Sequence, residues 1–339
     1  MIELKNDRLV FAFPELHADA LLEVEFQRTL RIPDDGRTYP LPPGRGAFPL
    51  RHVDDFAREV PADWLRHGGV LLPMYQAEAM WLKFRAPHGY PFAVKVAAGK
   101  INAVTGKPWD DGLGRDPQNY VVHPGQPWLD GYVVTKGTIR QFVAMPLGAG
   151  YSAEEQITGR AEFGGLQIQA FPLHAGHWNP PPPVRRARLP FQAMPAAAPA
   201  AAGRGPSRPD MALGMGGSMK QDIYRDHRPL DHWDTANGSR CFVHLANAMV
   251  WRQITGQAPP TVPPTAKEYT QAGLPWFDYY AHHLEAVEGS ATLASLHSIH
   301  EMAEMTGQPA LPENASVTPA HVVPLRAGLK PGEVRQGSF

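Results

Sequence analysis

Near the start of the chain, apolar and polar residues alternate with a period of two, the pattern of a strand with one face buried. It runs through Arg8–Leu16 (RLVFAFPEL) and Ala20–Pro33 (ALLEVEFQRTLRIP). In the second, Leu22, Val24 and Phe26 share a face opposite Glu23, Glu25 and Gln27. YPFAVKVAAGKINAVTG, NYVVHPGQPWLDGYVV, TIRQFVAMPL and GLQIQAFPL are also strand-like, each bounded by Gly or Pro. Met74–Phe84 (MYQAEAMWLKF) fits helix and strand alike, and SMKQDIY and RCFVHLANAMVW read as strands, or as a strand running into a helix.

Helical signals are few. Asp54 as an N-cap, Pro61 at a first helical position and the Gly68-Gly69 stop frame one or two turns. Thr265 and Glu268 have capping-box spacing, and Ser290 caps a helix carrying Leu293, Leu296 and Ile299. Many short strands with little helix between them predict a mainly β protein: an antiparallel sandwich or barrel-like body with a few short helices and long Pro/Gly-rich loops. The 36 prolines and 32 glycines point the same way, because Pro is tolerated in turns and at sheet edges but not inside helices.

Composition changes abruptly over 179–212, which holds nine Pro, nine Ala and five Arg with Asp210 as its only acid. Such a segment has too little apolar surface to order itself and reads as a flexible linker. The predicted organisation is a β-rich body over 1–178, that linker, strands and short helices over 213–306 packing on the body, and an extended tail over 307–339.

A formal net charge of -1 gives no push toward nucleic acid or an anionic membrane. No window approaches 18 uninterrupted apolar residues, so no membrane span is expected. MIELKNDRLVFAF places acidic and polar residues where a signal peptide needs an apolar run, and the single Cys241 rules out an intramolecular disulfide framework. A cytoplasmic protein follows.

Candidate chemistry centres on Ile139–Pro172. Arg140, Gln141, Glu154, Glu155, Gln156, Glu162 and Gln167 are candidates to converge on a polar ligand or hard cation, and alternation puts Gln141 and Gln167 on one sheet face if the register permits. Against this, Ser152 and Glu155 have capping-box spacing, which accounts for much of the stretch as a turn. His174 with His177, Cys241 with His244, and His297 with His300 stand at metal-ligand spacing. There is no second Cys and no HExxH, and Cys241 and His244 fall on opposite faces of a strand, so no metal and no cofactor is expected. Asp226, Asp231, Asp234 and Asn237 lack the EF-hand pattern, and turn chemistry explains them. Neither GxSxG nor a phosphate loop is present. Trp276, Phe277, Tyr279 and Tyr280 form a dense aromatic segment, read as an arm docking on its own chain or as an anchor between subunits.

PMYQAEAMWL, VKVAAGKINAVTG, IRQFVAMPLGAGYSAEEQITG, GGLQIQAFP and TAKEYTQAGLPWFDYY resemble segments of an uncharacterised family of soluble proteins from actinobacteria and other bacteria, with relatives in eukaryotic microbes. The resemblance implies one coherent protein and carries over no activity, cofactor or catalytic residue. The function expected from the residues is a non-enzymatic binding or assembly protein that forms a homo-oligomer and takes a protein partner. The alternative is a metal-dependent hydrolase using a Glu/His cluster.

Overall fold

The computed structural model describes residues 1–180, 210–280, 284–308 and 314–326. Most of the expected linker, 181–209, lies outside the described residues.

In chain order, the body begins with β1 (Ile2–Lys5), β2 (Arg8–Ala12) and β3 (Leu21–Thr29), a meander, followed by β4 (Thr38–Tyr39), β5 (Gly44–Ala47) and β6 (Arg51–His52). Helix α1 (Ala62–His67) leads into β7 (Val70–Met74), β8 (Ala79–Arg85), β9 (Phe92–Ala98) and β10 (Ile101–Asn102). Next come β11 (Val121–His123), β12 (Trp128–Leu129), β13 (Gly131–Thr135), β14 (Thr138–Pro146), α2 (Ala153–Thr158) and β15 (Leu166–Pro172). The chain resumes with β16 (Asp210–Lys220), β17 (Ser239–Asn247), α3 (Ala248–Thr255) and α4 (Ala266–Gln271). It ends with β18 (Trp276–Tyr280), α5 (Ala291–Ala294), α6 (Ile299–Met305) and β19 (Val322–Arg326).

The protein is mainly β, as its alternation predicts. One antiparallel path runs β1–β2–β3–β8–β14–β16–β17–β15–β9–β11. Parallel contacts join β4 to β16, β7 to β17, and β18 to β19 in a separate two-stranded sheet. Pairing among the described strands does not close into a barrel. None of the described helices is long and apolar enough to cross a membrane.

The sheet curls around a single large core. In β3, Leu22, Val24 and Phe26 are fully buried, while Glu25 and Glu23 face outward to Arg8, Lys83 and Arg85. Helices fill the outer face in patches: Trp64 of α1 and Val250, Trp251 and Ile254 of α3 pack on Leu71 and Ala246, and Ile299 and Ala303 of α6 pack on Ala79, Val143 and Met145. β16 allows that approach because it is glycine-rich. A Cβ on Gly214 would stand 2.7 Å from Ile299 Cγ2 and 2.9 Å from the Tyr151 carbonyl.

Local signals were mostly sufficient. Capping boxes form at Ser152/Glu155 and Thr265/Glu268. The ambiguous Met74–Phe84 divides into the end of β7, a turn and β8. In that turn the buried Glu78 carboxylate takes an ion pair from Arg28 at 2.8 Å and the Tyr75 N–H at 3.0 Å. The helix expected from Ser290 is two helices, because Ser298 forms its own capping box with Glu301 and starts α6. Part of the segment expected to be an extended tail is β19, paired with β18.

Candidate functional site

The residues proposed from Ile139–Pro172 do not converge. Glu155 closes a turn: its carboxylate accepts from the N–H groups of Gly148 (2.9 Å), Gly150 (2.8 Å) and Ser152 (3.1 Å), and from Ser152 Oγ (2.6 Å). Glu154 points the other way, into the sheet, where it accepts from the N–H groups of Gly164 at 3.2 Å and Phe163 at 3.4 Å. Gly99 makes room for it; a Cβ there would lie 2.2 Å from Glu154 Oε2. Burial pushes the Glu154 carboxyl up to about 7. Glu162 is exposed and pairs with Arg160.

The remaining candidates serve three separate places. Gln141 sits at a bulge of β14 and bridges the Leu30 carbonyl (2.8 Å) and the Ile32 N–H (3.1 Å). Gln167 donates to the Gly99 carbonyl at 2.8 Å. Arg140 reaches the Leu296 carbonyl and Glu301, and Gln156 exchanges hydrogen bonds with the His297 backbone. Gln141 and Gln167 are not neighbours, because β14 pairs with β8, β13 and β16 while β15 pairs with β9 and β17.

The metal alternative fares no better. Cys241 joins the core with Val243 and Leu245, and burial pushes its thiol up to about 12. His244 lies on the opposite face, stacked on Trp64 at 4.8 Å with Nε2 2.9 Å from the Gly68 carbonyl, and burial lowers its pKa to about 4. His177 stacks face to face on His232, with centroids 3.6 Å apart, and the His174 N–H donates to the His232 carbonyl. Among the described residues, no group of three His, Cys, Asp or Glu is placed to hold a metal ion.

The aromatic segment docks on its own chain. Trp276 is fully buried against Tyr39 and Tyr269, which leaves none of its ring for a partner. Phe277 exchanges backbone hydrogen bonds with Leu41, and Tyr279 packs on Trp128 at 4.7 Å; both stay half-buried. Only the backbone of Tyr280 is described, as the last residue of β18.

What the sequence did not single out is a pair of cavities sharing Arg225. One, of about 310 Å³, is walled by Arg115, Asp116, Gln118, Glu288 and Ser290. The other, of about 560 Å³, is walled by Arg225, His227, Arg228, His232 and the apolar Val122 and Leu284. A buried carboxylate organises both. Asp226 accepts from Tyr120 Oη (2.8 Å), Trp233 Nε1 (2.9 Å) and the Arg228 N–H (3.1 Å), and its own N–H donates to Gln118 Oε1 (2.7 Å). Arg115 donates to the carbonyls of Asp226 and Arg228. Backbone bonds from Arg225 to Glu285 and from Val287 to Ile223 clamp the segment from its other side.

Along this extended segment successive residues face opposite ways. Tyr224 and Asp226 are inside, while Arg225 and His227 project outward. Glu285 is the exposed acid beside them, 3.4 Å from Arg225 and 3.9 Å from His227. Arg228 lies over the Trp233 ring and 3.7 Å from Asp226. Arg225 and Arg228 thus stand, each beside a carboxylate, on a ledge at the edge of a concave, part-apolar wall.

No protein-family model, curated protein or solved structure matches this chain.

Proposed function

We propose that the protein works by binding, and that its ligand is a small, multiply charged anion held in the cleft below Arg225. The observation that carries this reading is the Asp226 hub. A carboxylate with no exposed surface is spent on fixing the backbone that presents Arg225, His227 and Arg228 beside a cavity of about 560 Å³. Pre-organised cations beside an apolar wall lose little entropy on binding, and they orient a ligand through a few polar contacts. The rival, metal-assisted hydrolysis by the Glu154/Glu155/Glu162 group or the histidine pairs, has less support, because among the described residues no three such groups are placed to hold a metal ion, and Glu154, Glu155 and His244 are engaged in hydrogen bonds within the fold. The binding reading keeps self-association as its second half, with Phe277, Tyr279 and the exposed Val322 and Leu325 rather than Trp276 as the available apolar groups.

Isothermal titration with citrate and with inorganic phosphate tests the cleft. One-to-one binding that weakens with added salt is expected, and combining Arg225→Ala with Arg228→Ala should weaken it at least tenfold. Unchanged affinity in the double variant, or no binding of either anion by the parent, contradicts the reading.

A further inference from the structure

A second concave site lies on the outer face of the sheet and shares no wall residue with the two cavities beside the Asp226 hub. The N-terminal half of β17 pairs with β15 on one side, while on the other β7 reaches only Val70, opposite Val243. Beside the uncovered Arg240–Phe242 a cleft of about 240 Å³ opens, walled by His52, Asp54, His67, Arg240 and Phe242, with Glu3 of β1 across it. The alternation of β17 sends Cys241 and Val243 to the core and leaves Arg240 and Phe242 outside.

The rings there form a continuous run. His67 stacks on Phe242 with centroids 4.8 Å apart and 25° between planes, and lies 5.8 Å from Phe163. A second stack, Trp64 on His244, holds His67 from behind, with the two imidazoles 6.4 Å apart. Two cations sit on this surface: Lys100 Nζ is 3.8 Å from the Phe163 centroid, and the Arg240 guanidinium is 5.3 Å from that of Phe242. Lys100 is exposed and makes no ion pair among the described residues, while Arg240 is shared with the exposed Asp111 at 3.0 Å. Burial lowers the His67 pKa, so at neutral pH this imidazole stacks as an uncharged ring between two cations.

We infer that this surface binds a planar aromatic anion of mononucleotide size, its ring laid against Phe242 and His67 and its anionic group met by Arg240, with Lys100 at the Phe163 end of the run. Stacking on aromatic side chains with flanking Lys or Arg is the chemistry that holds a base and its phosphate, and it tolerates any flat ring. Asp54 and Glu3 on the far wall repel an anionic group, so the ligand's charge belongs at the Arg240 end, where it displaces the exposed Asp111 as partner of the guanidinium.

Titration of the full chain carrying Arg225→Ala and Arg228→Ala, which silences the anion cleft, with AMP, adenosine and inorganic phosphate tests this, read by calorimetry and by the fluorescence of the adjacent Trp64. AMP should bind at least tenfold more tightly than adenosine or phosphate. Phe242→Leu should cost at least tenfold in AMP affinity, in keeping with the loss of one stacked ring. Arg240→Gln, an exposed change that leaves the core intact, should narrow the preference of AMP over adenosine, and Lys100→Gln, at the Phe163 end, should narrow it less. In that background the inference is overturned by absence of saturable AMP binding, by phosphate binding as tightly as AMP, or by Arg240→Gln leaving the preference unchanged. Because Arg225 and Arg228 take no part here, AMP binding in that background reports this site alone, which separates its failure from failure of the anion cleft.

Discussion

Removing the Asp226 carboxylate is the most demanding perturbation of the ledge that carries the cleft. Asp226→Ala leaves the hydroxyl of Tyr120 and the indole N–H of Trp233 without an acceptor, and both residues are buried to within 1% of full enclosure. A buried donor left unsatisfied costs about 1–3 kcal/mol. Arg228 also loses its partner, but it is partly exposed and adds little. The sum for the two donors is about 2–6 kcal/mol, in line with breaking one side of a buried charged network and a large share of the stability of an ordinary domain. Asp226→Asn, with its oxygen placed where Oδ2 sits, still accepts from Tyr120 and Trp233 and turns its amide N–H toward the Arg228 N–H alone, so it should fall between the parent and Asp226→Ala. Urea denaturation followed by tryptophan fluorescence measures this, with an unchanged m-value certifying that only stability moved. Loss of less than about 1 kcal/mol in Asp226→Ala would refute the argument, because the two donors would then have found other acceptors or water.

Other consequences follow from burial elsewhere. Asp130 is enclosed and its carboxyl is pushed up to about 7 by desolvation, partly opposed by the Gln221 amide at 2.7 Å. Between its ordinary range near 4 and about 7 the folded chain holds a proton that the unfolded chain has released, so stability is full below that window and falls as pH rises through it. Asp130→Asn should flatten the decline by up to about 1.4 kcal/mol per pH unit in urea melts across that window, and an unchanged slope would sink the assignment. Glu154, raised for the same reason, adds to the same decline, and Glu154→Gln should reduce it further. Trp276→Ala should cost about 3–5 kcal/mol without altering the sedimentation coefficient of the folded protein; a smaller particle of undiminished stability would restore it as an interface anchor.

What could be read in the sequence was whatever neighbouring residues decide among themselves. The alternation of β3, the capping boxes at Ser152 and Thr265, and the opposite facing of Cys241 and His244 all depend on residues a few positions apart. Ser298 was the local exception, since its capping box was hidden inside a helical spacing that ran on from Leu293 to Ile299. Gln141 and Gln167 failed to meet because strand order is set by long-range pairing, which alternation does not encode. Trp276 illustrates the same limit, because whether an aromatic run faces core or partner depends on which surface covers it. The Arg225 ledge was hidden most thoroughly. Its organising contacts join Tyr120 and Gln118 to Asp226 across more than a hundred residues, in a stretch whose Asp, Asn and Gly content reads as ordinary turn chemistry. The usable signal was the out-and-in order of Tyr224, Arg225, Asp226 and His227.

The most direct test of the central claim is to locate the bound anion by the imidazole resonances of the histidines during a citrate titration. The account predicts that His227 and His232, which wall the 560 Å³ cleft, shift together and saturate with the affinity found by calorimetry, while the buried His244 stays in place. Saturating citrate binding that leaves His227 and His232 unmoved would contradict it.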